Sequence, residues 1–378
     1  MFDFQTPIAR QNTHSLKWEK YKGRDILPFW VADMDFAAPN QVIAAIQKRL
    51  QHPVLGYTTP DLALNETIAN YAAAQYDYAL SSDWIIWIPG LVPALNVVAR
   101  FASGNIIVMP PVYPPFLKAP ILNNKKRIDV PLLAPSNEPE KNKNEWRMDF
   151  ANLEKAFQKA APDSILFLCH PHNPVGRAWQ IEELQQLADL ATHYNIAVCS
   201  DEIHADLMLD KRAHIPFLKI AEQNAITLMA PSKTYNLPGL AAAFAIIPDE
   251  KLRARFLAAK AGIVPDVNVL GLEAARAAFS SCDEWREALL HVLRQNREEV
   301  FKRINALPKL KTHWVEASYL AWIDARALNQ KNPEAFFENH GIGLSNGADF
   351  GAPNFLRLNF GTTPMQLNDG LSCIESAF

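Results

Sequence analysis

Residues 226–240 read Ile-Thr-Leu-Met-Ala-Pro-Ser-Lys-Thr-Tyr-Asn-Leu-Pro-Gly-Leu, and the fold turns on them. Ile226 to Met229 are four apolar or β-branched residues, which predicts a short buried strand. The chain turns at Pro231 and presents Lys233 just past the strand end. In open α/β sheets ligands sit at the carboxyl ends of strands. A lysine there, among Ala, Leu and Pro, is poorly solvated. Desolvation lowers its pKa, and a neutral amine can condense with a carbonyl. Alone, Ser232-Lys233-Thr234 reads more simply as a surface loop; the stretches that could meet it change that reading.

On either side lie further apolar runs. Ala241 to Ile247 follows. Ile196 to Ser200 precedes, with Asp201-Glu-Ile-His204 at its end. Charges placed directly after a buried strand are costly unless paired, so Asp201 needs a partner, functional or structural. Ile165 to Cys169 is another such strand, and its end carries His170-Pro-His-Asn-Pro-Val-Gly-Arg-Ala-Trp179. Between these two strands, Ile181, Leu184, Leu187, Ala188 and Ala191 mark one face of a helix over 181–194.

Earlier in the chain, 85–88 predicts a strand, Pro89-Gly90 a turn, and Pro93 the start of a helix. A glycine turn feeding a helix start is also a ready anion site, though many such turns are only connections. The strand Ile106 to Met109 runs into Pro110-Pro-Val-Tyr-Pro-Pro-Phe116. The prolines predict a rigid irregular loop that holds Tyr113 for packing or for stacking on a flat ring. Five or more buried strands alternating with helices give an α/β fold with a parallel sheet covered on both faces. No strand is followed by Gly-x-Gly-x-x-Gly, and Gly341-Ile-Gly343 lacks the third glycine, which argues against a dinucleotide fold.

The flanks differ in texture. Residues 1–30 are polar and irregular, and Leu27 to Phe36 then packs three aromatics and two carboxylates into ten residues, as a core anchor or a pocket wall. Asn40 is a candidate cap for a helix from Gln41 to Leu50, and Gly56-Tyr57-Thr58 sits in an exposed turn. Residues 134–147 predict a surface loop, and Glu154 to Ala161 a short helix. From about 276 a long helix, Asp283 to Ala306, is followed by strand-like Ser318 to Asp324 and Phe355 to Phe360, a smaller α+β unit. Arg357 between Leu356 and Leu358 faces solvent or a buried anion, and alternation alone favours solvent.

Composition limits the function classes. At about 150 residues per domain, 378 residues suggest two domains. The chain is 49% hydrophobic and 20% charged, enough to bury a large core, and its net charge of −3 without a basic tract argues against nucleic acid. No apolar run has the length of a membrane span, and the N-terminus lacks the pattern of a signal peptide. Cys169, Cys199, Cys282 and Cys373 are widely spaced, which points to a reducing cytoplasm. His170, His172 and His204 lack a second ligand pair at suitable spacing, so no metal is expected.

Taken together these stretches resemble fold-type-I pyridoxal 5′-phosphate enzymes, the class I/II aminotransferase superfamily, and most closely the cystathionine β-lyase-like branch of C–S lyases. The resemblance runs through WVADMDF (30–36), GYT (56–58), PGLVPALN (89–96), PPVYPPF (110–116), HPHNPVGRAW (170–179), SDEIHADL (200–207), SKTYNLPGL (232–240), YLAWID (319–324) and RLNFG (357–361). It implies a large domain, 45–275, with a mostly parallel seven-stranded sheet between helices, and a small domain made of 1–44 and 276–378. It implies pyridoxal 5′-phosphate bonded to Lys233, with Asp201 on the ring nitrogen, Asn173 and His204 beside the ring oxygen, and Tyr113 on the ring face. Gly90, Leu91, Val92 and Ser232 would bind the phosphate, joined by Tyr57 from the other subunit of a homodimer. Arg357, with Asn173 and Trp30, would hold the amino-acid substrate.

The resemblance implies α,β-elimination from cystathionine or a related cysteine S-conjugate, with Lys233 as base at Cα. An aminotransferase is the rival within the fold, and a binding or regulatory protein that has lost catalysis is the rival outside it. Ala230 and Ala241 depart from the superfamily pattern, which has a hydroxyl and a cation there, and this implies weaker cofactor binding. Trp30, Tyr57 and Trp179 could shape a distal apolar pocket, or simply pack.

Overall fold

The computed structural model describes residues 2–136 and 138–378; Met1 of the expected N-terminal segment and Asn137 of the expected 134–147 loop lie outside them. The first strand, β1 (Leu27–Pro28), is only two residues long. The main sheet comprises β2 (Ile85–Ile88), β3 (Ile106–Val108), β4 (Arg127–Asp129), β5 (Ile165–Cys169), β6 (Ala197–Asp201), β7 (Ala225–Met229) and β8 (Ala243–Ile246). Their order is β2-β8-β7-β6-β5-β3-β4. β8 runs antiparallel to both neighbours, and the other pairings are parallel. The expected mostly parallel seven-stranded sheet is therefore present.

The central strands β5, β6 and β7 are buried at every position because both faces are covered, and β5 is apolar throughout. In β5, Leu166 and Leu168 enter one core, while Ile165, Phe167 and Cys169 enter the other. Successive side chains point to opposite faces, so a continuous apolar run feeds two cores at once. The edge strand β4, Arg-Ile-Asp, is only partly buried.

A second sheet contains β9 (Lys311–Thr312), β10 (Leu320–Asp324), β12 (Ser345–Asn346) and β13 (Phe355–Asn359), antiparallel in the order β12-β13-β10-β9. Between them in sequence, β11 (Ile342–Gly343) pairs in parallel with β1. The incomplete glycine motif is thus half of a two-stranded clasp that ties the N-terminal segment to the C-terminal unit. On this pairing we propose the division into 45–275 and 1–44 with 276–378.

Several boundaries differ from the sequence reading. The helix after β2 spans Leu91–Phe101, so Pro93 is its third residue; it is tolerated there because the first amides of a helix have no intrahelical partner. The proline run is not wholly irregular: a helix, Pro114–Leu122, starts inside it, with Pro114 and Pro115 in its first turn. Asn40 is the first residue of helix Asn40–Leu50 rather than its cap; Pro39 precedes it, and no side chain caps the end. Asp149 caps Phe150–Lys159 by accepting from the Asn152 amide at 3.0 Å, which starts that helix four residues before the expected Glu154.

Candidate active site

A cavity of about 290 Å³ opens at the carboxyl ends of the main-sheet strands. Asp201 ends β6, Lys233 follows β7, Gly90 follows β2, and Tyr113 follows β3. Each borders the cavity, together with Leu91, Val92, Asn173, His204, Ser232 and Arg357. Residues spread over almost the whole chain meet there because parallel strands deliver their ends to one edge of the sheet.

Asp201 is 3% exposed. Its carboxylate accepts from the Ile203 amide at 3.1 Å. Burial pushes its pKa up to about 7, against the Ile203 amide and the charge of Lys233. Lys233 is pushed the other way, down to about 8, by burial first and then by Arg357, with Asp33 and Asp201 opposing. Lys233 is half-buried, and its lowered pKa has the direction expected of a partly desolvated lysine. Its Nζ donates to the Ala32 carbonyl at 2.6 Å.

Arg357 is 5% exposed, so the solvent-facing reading of its strand is corrected. The Trp30 backbone and the Phe350 ring cover that face of β13. Arg357 Nη1 donates to Asn173 Oδ1 at 3.0 Å and Nη2 to the Trp30 carbonyl at 2.9 Å. Its guanidinium carbon lies 4.7 Å from the Phe350 ring centre. Burial lowers its pKa to about 10. Nε is a buried donor without a hydrogen-bond partner.

His204 has neither ring nitrogen bonded, although both are buried. Burial, then the charges of Lys233 and Arg357, lower its pKa to about 3, so the ring is neutral. Gly90 has φ +109°, a conformation that favours glycine, and no side chain caps the helix it begins. The Leu91 and Val92 amides therefore point out of the helix start with no intrahelical carbonyl to reach.

Two expected site residues are not brought to this cavity. Tyr57 is 111% exposed, on an extended segment outside the cavity. The Trp30 ring is not part of the wall: its indole donates to the Lys17 carbonyl at 3.0 Å and stacks under the Lys20 ammonium, and only its backbone oxygen serves the site by holding Arg357. Trp179 is core, with its indole donating to the Cys169 carbonyl at 3.0 Å, so it shapes no distal pocket. Of the two departures, Ala241 borders the cavity, whereas Ala230 is buried in the core and does not. His170 and His172 each bond a backbone carbonyl, of Ile215 and Pro111, at 3.0 and 2.9 Å.

The sequence reading missed Ala32, Cys169, Ile203 and Tyr319. Cys169 and Ile203 were within reach, since each lies at a strand end beside a candidate residue. Ala32 acts through a backbone carbonyl and Tyr319 through a long-range contact, and neither leaves a trace in residue type. The WVADMDF segment turns out to be both anchor and wall. Val31 and Ala32 border the cavity, while Asp35 pairs with Lys17 and Arg10, each at 2.7 Å, and Asp33 with Arg10 at 2.6 Å.

This donor set fits pyridoxal 5′-phosphate. The buried Asp201 carboxylate suits a protonated ring nitrogen, the two free nitrogens of His204 suit a ring oxygen, and the uncapped helix start with Ser232 suits a phosphate. Lys233 supplies an amine that approaches neutrality near physiological pH.

Known proteins agree with this geometry. The chain is 35% identical to cystathionine beta-lyase PatB of Bacillus subtilis (strain 168), over 99% of each chain. Its fold matches the crystal structure of OvoB with a TM-score of 0.94 and 38% identity, covering 100% of this chain and 99% of that one. It matches cystalysin from Treponema denticola, whose structure contains a pyridoxal 5′-phosphate cofactor, with a TM-score of 0.93 and 32% identity over 100% and 98% of the two chains. The profile of the family described as aminotransferase class I and II matches residues 24–374. The chain belongs to the class I and II aminotransferase family and has its fold-type-I architecture.

Proposed function

We propose that this chain is a pyridoxal 5′-phosphate-dependent carbon–sulfur lyase. It catalyses α,β-elimination of L-cystathionine or a related cysteine S-conjugate to a thiol, pyruvate and ammonia. The observation that carries the reading is the convergence of Lys233, Asp201 and buried Arg357 on one cavity. The name of the PatB relative favours the lyase over the aminotransferase.

When bound, the cofactor supplies an electron sink for the pair released at the substrate Cα. Lys233 would hold it, and as the base would take the Cα proton, since its lowered pKa leaves a usable neutral fraction. Asp201 keeps the ring nitrogen protonated. Its raised carboxylate pKa reflects burial that the Ile203 amide and the Lys233 charge do not offset, and a protonated ring nitrogen would bring a cation into direct contact. Arg357 binds the α-carboxylate in bidentate fashion, with Asn173 fixing its Nη1. Tyr113 would pack on the ring face, Asn173 and His204 would lie by the ring oxygen, and Gly90, Leu91, Val92 and Ser232 would take the phosphate.

We further propose a homodimer in which Tyr57 reaches the phosphate of the second subunit. The exposed apolar Val54, Leu55, Tyr57 and Leu62 support a second copy as their cover. Four free cysteines support a cytoplasmic location. Among the described residues no helix is long and apolar enough to cross a membrane.

The test is a paired assay on cofactor-saturated protein. Pyruvate and a free thiol from L-cystathionine, without amino transfer to a 2-oxo acid, is the expected result. Amino transfer without pyruvate would replace the lyase with the aminotransferase reading.

A further inference from the structure

The Ala32 carbonyl accepts two hydrogen bonds, from Lys233 Nζ at 2.6 Å and from the Tyr319 hydroxyl at 3.0 Å. The segment that bears it cannot slide. Arg357 holds the Trp30 carbonyl at 2.9 Å, and Asn359 Nδ2 holds those of Val31 and Asp33 at 2.6 and 2.7 Å. Tyr319 is fully buried and edge-on to the His204 ring at 6.0 Å. Burial raises its pKa, so the phenol stays protonated and acts as a donor.

We propose that Tyr319 is a positioning residue: by sharing the Ala32 carbonyl with Lys233, it makes that oxygen a weak resting place for the free ammonium, so the amine is released toward the reacting carbon. This rests on the reading of Lys233 as the cofactor-bearing amine.

A carbonyl oxygen has two lone pairs, and here one goes to each donor. The positive end of the Tyr319 O–H dipole points at the oxygen that the ammonium also needs. In a site of low dielectric it repels the ammonium and weakens that hold. The other groups facing the amine are Arg357, which repels the charged form, and Asp33 and Asp201, which attract it; the neighbouring His204 is neutral. Tyr319 works through the acceptor itself, so removal of one hydroxyl changes how well the ammonium is held without moving any of these charges. Hydrogen bonding that improves for the charged form favours that form.

The experiment uses the full chain freed of cofactor. Pyridoxal 5′-phosphate is added over a pH series, and the rate of its covalent incorporation is read by borohydride trapping and mass spectrometry at Lys233. This rate follows the neutral fraction of the amine. In the wild type the midpoint is expected near 8, where Lys233 titrates. In Tyr319→Phe it rises by about 0.5 unit or more, since the carbonyl is left wholly to the ammonium. With 3-fluorotyrosine at position 319, a stronger donor of nearly the same size, it falls. A purely structural tyrosine would alter thermal stability without moving the midpoint in opposite directions in the two proteins. A Tyr319→Phe midpoint that falls or stays within about 0.2 unit of the wild type overturns the proposal. If Tyr319→Phe does not fold, the fluorotyrosine protein decides alone, and a midpoint that is unmoved or raised overturns it. If the wild type takes up no cofactor at Lys233 at any pH, the functional reading itself fails, which is a separate result.

Discussion

Replacing Arg357 by methionine separates binding from stability. The residue is 5% exposed, and the guanidinium's hydrogen-bond partners are a side-chain amide, a backbone carbonyl and, at 3.4 Å, the Ser345 hydroxyl, all neutral. It is a desolvated cation waiting for an anion, as its pKa of about 10 reflects. A substrate carboxylate entering the variant is left buried and unpaired, which costs roughly 3–5 kcal/mol. That is a loss of about 10²–10⁴ in kcat/KM. The interaction is made before and during the reaction, so the loss falls mainly on KM. Stability behaves otherwise. Three hydrogen bonds to neutral groups disappear, the longest at 3.4 Å, but so does a buried charge, and Met fills much of the volume. We expect the melting temperature of the cofactor-bound variant to stay within about 5 °C of the wild type. Pyruvate release from L-cystathionine and thermal melting are measured on the same preparation. A kcat/KM within about tenfold of wild type, with the bound cofactor's visible absorbance intact, would refute the assignment.

Lys233→Ala is expected to abolish pyruvate formation, and turnover retained above the cofactor-free background would remove Lys233 from the reaction. Asp201→Asn has opposite effects with and without cofactor. Asp201's folded-state pKa is raised to about 7, so without cofactor its carboxylate favours folding while protonated and costs stability as pH rises from the ordinary carboxylate range through 7. At pH 8 the cofactor-free Asn variant should therefore melt higher than the wild type, while the loaded variant loses most of its activity; equal melting of the two cofactor-free proteins would contradict the burial argument. Tyr57 is fully exposed in the single chain, so Tyr57→Ala should leave subunit folding within about 0.5 kcal/mol. If it serves a neighbouring phosphate, the cofactor Kd rises about tenfold, the loss of one hydrogen bond to a charged group. An unchanged Kd in a titration followed by absorbance would place Tyr57 outside the site.

Much of this was legible along the chain because it is local. Ile165–Cys169 is apolar at every position and Ala225–Met229 is apolar but for the β-branched Thr227, as a sheet covered on both faces requires; Asn173 and Lys233 follow these strands, and Asp201 ends Ala197–Asp201. The resemblance of the motifs then named the chemistry. What residue order could not decide was direction. Arg357 sits in a strand whose alternation allows either face, and its surroundings are buried because the Trp30 backbone, the Phe350 ring and Asn173 pack against it. Trp30 is a conspicuous aromatic that contributes only its backbone oxygen, whereas Ala32 is an inconspicuous small residue whose carbonyl accepts from both Lys233 and Tyr319. Backbone carbonyls look alike in every residue, and contacts between positions 32, 233 and 319 exist only once the sheets have packed. The sequence by itself therefore determined the sheet, the strand-end residues and the family. Tertiary packing decided which of the flanking side chains face the cavity and what holds the reactive amine between events.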